Sequence, residues 1–375
     1  MGAAGWCAQA TSRAALPTGA PAAAPLIDAE DPVRSGRELR FPRDHGAHLG
    51  ARIEWWYATG WVGRPDAPTH GFQLTFFRSA TGLAAHVNSR FAARQLLFAH
   101  AALTALAGAG GQPTASHLHD QRIQRWSGAA DARLARAAVH DADIVLGNWS
   151  LRREGQTWRA DLPARGFRLG VTLTRSQAVL LQGDAGYSRK GPEAGQASHY
   201  YSEPQLAAAV TLQVGSAAPP VQGQGRAWLD HEWSNQLLHP QAVGWDWMGI
   251  NGFDGSALTV FVLRRADGSA LWAGGSFRSA AGVLQVFSPA QVRLRALRKW
   301  RSPGSGADYP VQWQVDCPAG SFQVRALLDA QELDSSASTG TIYWEGLSEL
   351  TDPRGQRLGL GYLEMTGYAR RLQLP

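Results

Sequence analysis

The sequence predicts an all-β protein of antiparallel sheets, a sandwich or barrel in each of two halves. Three observations carry this. Strand-length runs recur at regular spacing, with turn residues between them. Inside many runs, apolar and polar residues alternate with the period of a half-buried strand. Helical signal is scarce: residues 128–139 (Gly-Ala-Ala-Asp-Ala-Arg-Leu-Ala-Arg-Ala-Ala-Val) are the best helix candidate, and a short one. At 375 residues the chain suits two domains better than one. Gly215-Ser-Ala-Ala-Pro-Pro220 is the best linker between halves. The expected organisation is a disordered leader over 1–40, an N-terminal domain over 41–218 and a C-terminal domain over 219–375, with one or two short helices.

Taken in order, residues 1–24 are rich in Ala, Gly, Thr and Pro and lack the apolar stretch of a secretory signal. Residues 25–37 read as a polar lead-in, so ordered structure is expected to begin near Phe41. Ile53–Val62 is a strand whose continuous apolar character suits burial on both faces. Phe72, Leu74 and Phe76 alternate with Gln73, Thr75 and Phe77 in the next strand, and Leu96–Thr104 forms another. A Gly-rich stretch over 105–120 ends in His117-Leu-His119-Asp120, read as a flexible loop. Strands resume at Asp143–Arg152, Thr157–Leu162, Phe167–Thr174 and Ala178–Gln182. A long polar loop over Gly183–Glu203 precedes the strand Leu206–Val214. In the second half Leu258, Val260 and Val262 alternate, and Asp267-Gly268 marks a tight hairpin. Val311, Trp313 and Val315 face one way. Ile342–Leu350 and Leu358–Tyr368 flank the turn at Asp352-Pro-Arg-Gly355.

Composition narrows the function classes. The net charge of +6 is almost all arginine, since Lys190 and Lys299 are the only lysines. It is spread along the chain without a run of five or six like charges, which speaks against a nucleic-acid binder. Cys7 and Cys317 make neither a disulfide framework nor a zinc site. No stretch approaches eighteen apolar residues, so no transmembrane helix is expected. The anomaly is tryptophan, fifteen of them, many beside Asp, Glu or His.

The common catalytic signatures are missing. There is no Gly-x-Ser-x-Gly elbow, phosphate-cradling loop or dinucleotide fingerprint. His231-Glu232 starts like a zincin motif but lacks its second histidine. His117 and His119 could clip a metal, yet no third ligand is near in sequence; neither metal nor organic cofactor is expected.

What remains is aromatic residues interleaved with carboxylates. One cluster is Trp228-Leu-Asp230-His231-Glu232-Trp233-Ser234, followed by Gly244-Trp245-Asp246-Trp247; the other is Glu54-Trp55-Trp56-Tyr57. We expect the two to meet in one pocket. On a strand, Trp228, Asp230 and Glu232 share a face and His231 and Trp233 take the other, while Asp246 points away from Trp245 and Trp247. A carboxyl buried among indoles is held protonated because its charged form loses water, and such an acid can deliver a proton. Indole faces then stabilise a cation formed nearby. Together these suit protonation of an unactivated alkene and capture of the carbocation by water or a neighbouring group. The plainer alternative is that the indoles fill core volume and the carboxylates accept their N–H groups or pair with arginine, Arg52 for Glu54 and Arg226 for Asp230.

Several of these motifs carry a resemblance. Phe41-Pro-Arg-Asp-His-Gly-Ala-His48, Glu54-Trp-Trp-Tyr-Ala-Thr-Gly60, Ser188-Arg-Lys-Gly-Pro-Glu193 with Ala197-Ser-His-Tyr-Tyr-Ser202, and Trp228 to Ser234 with Gly244-Trp-Asp-Trp247 resemble, in the same order, the AttH-like branch of the hydroxyneurosporene synthase (carotenoid 1,2-hydratase) superfamily. The resemblance covers about residues 41–370. It implies two lipocalin-like β-barrel domains around an apolar cavity, and addition of water to an isoprenoid double bond without an organic cofactor. It places the acid on Asp230, with Glu54 and the Trp/Tyr around it lining the cavity. His231 and Asp246 would orient water or tune the acid; Trp55, Trp56, Tyr57, Tyr201, Trp228, Trp233, Trp245 and Trp247 would bind substrate. An apolar isoprenoid or lipid-like ligand, a periplasmic or secreted location and peripheral membrane association follow as expectations. A non-catalytic lipid carrier and a hydrolase of other mechanism stay open as alternatives.

Overall fold

The computed structural model describes residues 1, 33–82, 93–109, 114–127, 132–236 and 238–372. In its first part the strands are β1 (Ile53–Arg64), β2 (Ala67–Ala80), β3 (Gln95–Ala105), β4 (Ser116–Trp126), β5 (Ala135–Ala137), β6 (Asp143–Leu146), β7 (Trp149–Glu154), β8 (Thr157–Ala164), β9 (Phe167–Thr174), β10 (Leu180–Leu181), β11 (Tyr187–Arg189), β12 (Ala197–Val214) and β13 (Val221–Ser234). Its second part holds β14 (Gly244–Gly252), β15 (Ala257–Arg264), β16 (Ala270–Arg278), β17 (Leu284–Phe287), β18 (Arg293–Arg301), β19 (Asp308–Cys317), β20 (Gly320–Ala326), β21 (Glu332–Ser335), β22 (Thr341–Thr351) and β23 (Arg357–Met365). The protein is nearly all β, as the sequence predicts. Among the described residues the helical pieces are two 3-10 turns, Arg43–His45 and Pro289–Gln291.

Two antiparallel sheets account for the strands. The first runs β4-β3-β2-β1-β13-β12-β9-β8-β7-β6-β5, and the second β17-β16-β15-β14-β23-β22-β20-β19-β18. The first sheet curls until its ends approach. There Asp120 on β4 accepts the Arg165 N–H at 2.7 Å, and Arg122 lies over the Trp149 ring at 4.6 Å. Inside the curl sit Trp56, Phe72, Leu97, Trp149, Trp158 and Leu229, all buried. The second sheet wraps its own core of Ile250, Val260, Tyr309, Val311, Trp344 and Leu363.

A third cluster, with Tyr57, Trp61, Trp228, Trp247, Phe261 and Tyr362, packs the two sheets against each other. Apolar burial of this kind stabilises by about 25 cal/mol per Å2 removed from water. Polar pairs fix the register across it: His100 Nδ1 meets the Tyr343 hydroxyl at 2.8 Å, and Asn251 Oδ1 accepts the Gln205 N–H at 2.8 Å. Gly71 lets the sheets close; a Cβ there would lie 2.6 Å from the Tyr362 hydroxyl and 2.9 Å from Leu347.

Several expectations need correction. The segment 215–220, read as the link between halves, is the turn between paired β12 and β13, and the sheets change over between Ser234 and Gly244. Order begins before Phe41: Val33 and Leu39 pack against Tyr201 and Trp233, and Arg37 pairs with Asp44 at 3.0 Å. The rest of the expected leader, including Cys7, lies outside the described residues. The helix over 128–139 is not formed where it is described, because Ala135–Ala137 is a strand paired with β6. Pairing at a sheet edge overrides the helix preference of alanine. His117 and His119 lie on β4 rather than a loop, bonded to Thr104 and to the Asp334 N–H. The polar loop over 183–203 ends early: Ser198 to Ser202 are buried in β12.

Candidate active site

Strands β1 and β13 are neighbours in register, Tyr57 opposite Asp230, Trp56 opposite His231 and Trp55 opposite Glu232. Side chains on a strand alternate between faces, so this one pair of strands builds two environments. Trp56 and His231 face the interior of the first sheet. Tyr57, Asp230, Trp55 and Glu232 face the second sheet.

The interior face carries a closed polar network around Glu54. One carboxylate oxygen meets His48 Nδ1 at 2.7 Å and His231 Nε2 at 2.9 Å. The other accepts Arg78 Nε at 2.8 Å and the His48 N–H at 2.9 Å. Arg78 also donates to Gln95 and to the carbonyls of His48 and Ala51. Burial alone would push Glu54 up, but Arg78 and the two histidines outweigh it and hold it well below the ordinary carboxylate range. Burial pushes His231 down against the pull of Glu54. His48, Glu54 and His231 are the group among the described residues whose atoms converge as metal ligands might. Their separations of 2.7 and 2.9 Å are hydrogen bonds. Two ligands of a tetrahedral zinc stand about 3.3 Å apart when each is about 2.0–2.1 Å from the ion. The donor set therefore reads as a hydrogen-bonded network.

The other face opens on a cavity between the sheets, with an empty volume of about 1210 Å3 that is partly open to solvent. Trp55, Tyr57, Phe98, Trp245, Trp247 and Phe261 give it an aromatic wall. Four carboxyl groups also line it. On the first-sheet wall, Asp230 accepts Ser202 at 2.5 Å and the Trp228 indole at 2.7 Å on one oxygen, and Tyr200 at 2.8 Å on the other. Burial raises Asp230 to about 7, against these three hydrogen bonds and with repulsion from Glu232 added. Glu232 itself is paired, with Lys190 at 3.0 Å and with Ser198. The Lys190 ammonium sits over Phe261 at 4.2 Å and Tyr200 at 4.7 Å. On the second-sheet wall, Glu345 of β22 stands opposite Glu364 of β23. Burial first, and then each other's company, pushes Glu345 well up; burial likewise raises Glu364, with Asp230, Glu232 and Asp246 adding to it. Both groups therefore favour the protonated form near neutrality.

The expected site residues thus divide. Asp230, Trp55, Tyr57, Trp245 and Trp247 line the cavity, and Trp228 holds Asp230 from just behind its wall. Glu54 borders the cavity, but its carboxylate belongs to the closed network. Trp56, Tyr201, His231 and Trp233 lie on the interior side: the Trp56 indole donates to the His45 carbonyl, Tyr201 bonds His45, and Trp233 stacks on His48 at 3.6 Å. Asp246 faces the second sheet's own core, paired with Arg264 at 2.8 Å and Tyr368 at 2.9 Å, with burial raising it to about 6. Neither suggested arginine partner is the one used. Glu54 takes Arg78, and Arg226 donates to Gln205. Sequence reasoning missed Glu345, Glu364 and the role of Lys190. The available signal was the Tyr343-Trp344-Glu345 run, which repeats the aromatic–carboxylate pattern inside a strand.

Chemically, the cavity offers an acid near neutrality and aromatic faces for a cation. Comparison with known proteins agrees with the architecture. The profile of the AttH-like family matches residues 32–368. A crystal structure of a Nitrosomonas europaea protein provisionally assigned as AttH is similar at 44% identity, covering 91% of this chain and 100% of that one, with a TM-score of 0.81. Kievitone hydratase from Nectria haematococca is similar at 12% identity over 91% and 96% of the two chains, TM-score 0.63. CghA is similar at 13% identity over 92% and 96%, TM-score 0.51. The likeness to these last two concerns the fold. No curated protein matches.

Proposed function

The chain belongs to the AttH-like family, and from that premise we propose a hydratase-type enzyme that adds water, or the substrate's own nucleophile, across a C=C bond of an isoprenoid or lipid-like molecule held between the sheets. One observation carries the reading. Asp230 is fully buried in an aromatic cavity, and its carboxyl is raised to about 7. Such a group holds its proton at neutral pH and can transfer it.

In the reaction, the Asp230 proton forms a C–H bond with one alkene carbon. The π pair is consumed, and the other carbon becomes a carbocation. The Asp230 carboxylate left behind and the faces of Trp55, Trp245 and Trp247 stabilise that cation. Water forms the new C–O bond and its extra proton returns to Asp230, restoring the acid. A substrate hydroxyl can capture the cation instead and return its proton to Asp230; a second double bond can also do so, forming a C–C bond and a new cation that gives up a C–H proton to Asp230 or takes water, and either route gives a cyclised product. A carotenoid end group is one substrate of this class.

A carrier is the second reading. It is favoured by the three donors that already grip Asp230 and would fix it as a purely structural group. The test begins with native mass spectrometry of protein purified from its own host, to identify the co-purified olefin. That olefin is then incubated with wild type and Asp230→Asn in 18O-water. Label entering the product with wild type alone supports the enzyme. Binding by both proteins with neither label nor a cyclised product sinks it in favour of the carrier.

A further inference from the structure

The polar groups of the cavity are unevenly satisfied. On the first-sheet wall each acid has partners: three donors for Asp230, a lysine and a serine for Glu232. Elsewhere on its walls, Glu345 Oε1 and the Thr341 hydroxyl of the second sheet, and the Tyr57 and Ser79 hydroxyls of the first, are all buried and make no hydrogen bond. All four residues line the cavity. Tyr57 lies close enough to Glu345 to offset part of the rise that burial gives it, without the geometry of a full hydrogen bond. Buried polar groups are almost always paired, and Tyr57 with Glu345 marks the place of a missing partner, while Ser79 and Thr341 lie about 13 Å farther along their strands.

We propose that Tyr57, Glu345 and Glu364 form a binding site for a hydroxyl group of the ligand, so that the molecule taken up is a neutral amphiphile with an apolar body and an alcohol or phenol end. The chemistry of the site selects that group. A protonated carboxyl both donates and accepts, and so does a hydroxyl. Tyr57 adds a donor. An anionic head group is disfavoured, because it would be buried among the carboxyl groups of Asp230, Glu345 and Glu364, and the cations that reach the cavity are already engaged, Lys190 by Glu232 and Arg78 by Glu54. A plain hydrocarbon would leave Tyr57 and Glu345 dry and unpaired. The inference rests on the hydratase reading only in assigning the rest of the cavity to the apolar body of the substrate.

The test measures tryptophan quenching of the full chain at pH 7 with three probes of one carbon skeleton: farnesol, β-farnesene and farnesoic acid. Farnesol is expected to bind about ten-fold more tightly than the hydrocarbon, the gain from one satisfied hydrogen-bond site, and farnesoic acid most weakly. Tyr57→Phe should narrow the gap, and Tyr57→Phe with Glu345→Leu should close it, farnesol losing affinity and farnesene gaining it. Asp230→Asn should leave the preference intact. Circular dichroism checks that each variant is folded, and Tyr57→Phe alone decides the matter should the double variant unfold. Equal binding of farnesol and farnesene by wild type overturns the inference. So does loss of both probes together in a folded variant. Binding of neither probe brings down this site and the proposed substrate class together. Asp230-dependent label incorporation without any hydroxyl preference leaves the enzyme standing and removes this site alone.

Discussion

Glu54 and Asp230 sit on adjacent strands, both fully buried, and the structure gives them opposite acidities. Glu54 is held far down; Asp230 is raised to about 7. Burial acts upward on both. The difference is a cation: Glu54 has Arg78 and two histidines against its oxygens, whereas Asp230 has neutral hydrogen-bond donors and an acidic neighbour. The alternation of side chains along β1 and β13 sorts the two groups to opposite faces. One pair of strands thereby carries a structural carboxylate on one side and a reactive acid on the other.

The largest test of this contrast is Arg78→Ala. It removes the guanidinium and leaves Glu54 buried with the histidines alone, so stability should fall by about 3–5 kcal/mol. Chemical denaturation measures it, and adding Glu54→Gln should recover part of the loss. A change below 1 kcal/mol would mean that the network does not hold the first sheet together. Asp230→Asn should do the reverse: turnover drops by about 10^2 to 10^4-fold, the range of a general acid, while the melting temperature at pH 8 holds or rises. Melting that collapses in this variant would make Asp230 a structural group like Glu54.

The pH dependence separates the two sites further. Asp230 has a folded-state value raised from 3.8 to about 7. Between those values the folded state holds more protons than the unfolded one, so its contribution to stability is fully present below about 4 and is lost as pH rises through about 7. Glu54 is lowered, so its contribution is present above its ordinary range and is lost as pH falls through the depressed value. Turnover, needing the protonated acid, should decline above about pH 7, and a profile flat to pH 9 would exclude Asp230 as the donor. The smallest effect expected is from Tyr200→Phe, which takes one hydrogen bond from the Asp230 carboxylate. The alkaline limb should then move up by about half to one pH unit.

Much of this was readable in the residues themselves. The period-2 pattern puts Asp230 with Trp228 and against His231, and both pairs are found so. It also turns Asp246 away from its flanking indoles, although what it meets there, Arg264 and Tyr368, could not be read from sequence. The same alternation, applied to Glu54-Trp55-Trp56-Tyr57, divides that motif between two faces, and treating it as one cavity-lining unit was the error. Ser198-His199-Tyr200-Tyr201-Ser202 looks like a solvated loop because its residues are polar. It is buried strand because Ser198, Tyr200 and Ser202 find carboxylate partners on the neighbouring strand. Glu345 and Glu364 were missed for a different reason: they lie about twenty residues apart in the chain, and only the pairing of β22 with β23 sets them face to face, one strand spacing apart.

The pairing of β1 with β13 also sets an order of events during synthesis. Strand β1 leaves the ribosome early, but its partner emerges only after the whole of β2 to β12 has been translated. Until then β1 and β12 each present a bare edge, and such distant pairings close slowly. The acid rides on that last strand, so a nascent chain cannot complete its first sheet without also installing Asp230.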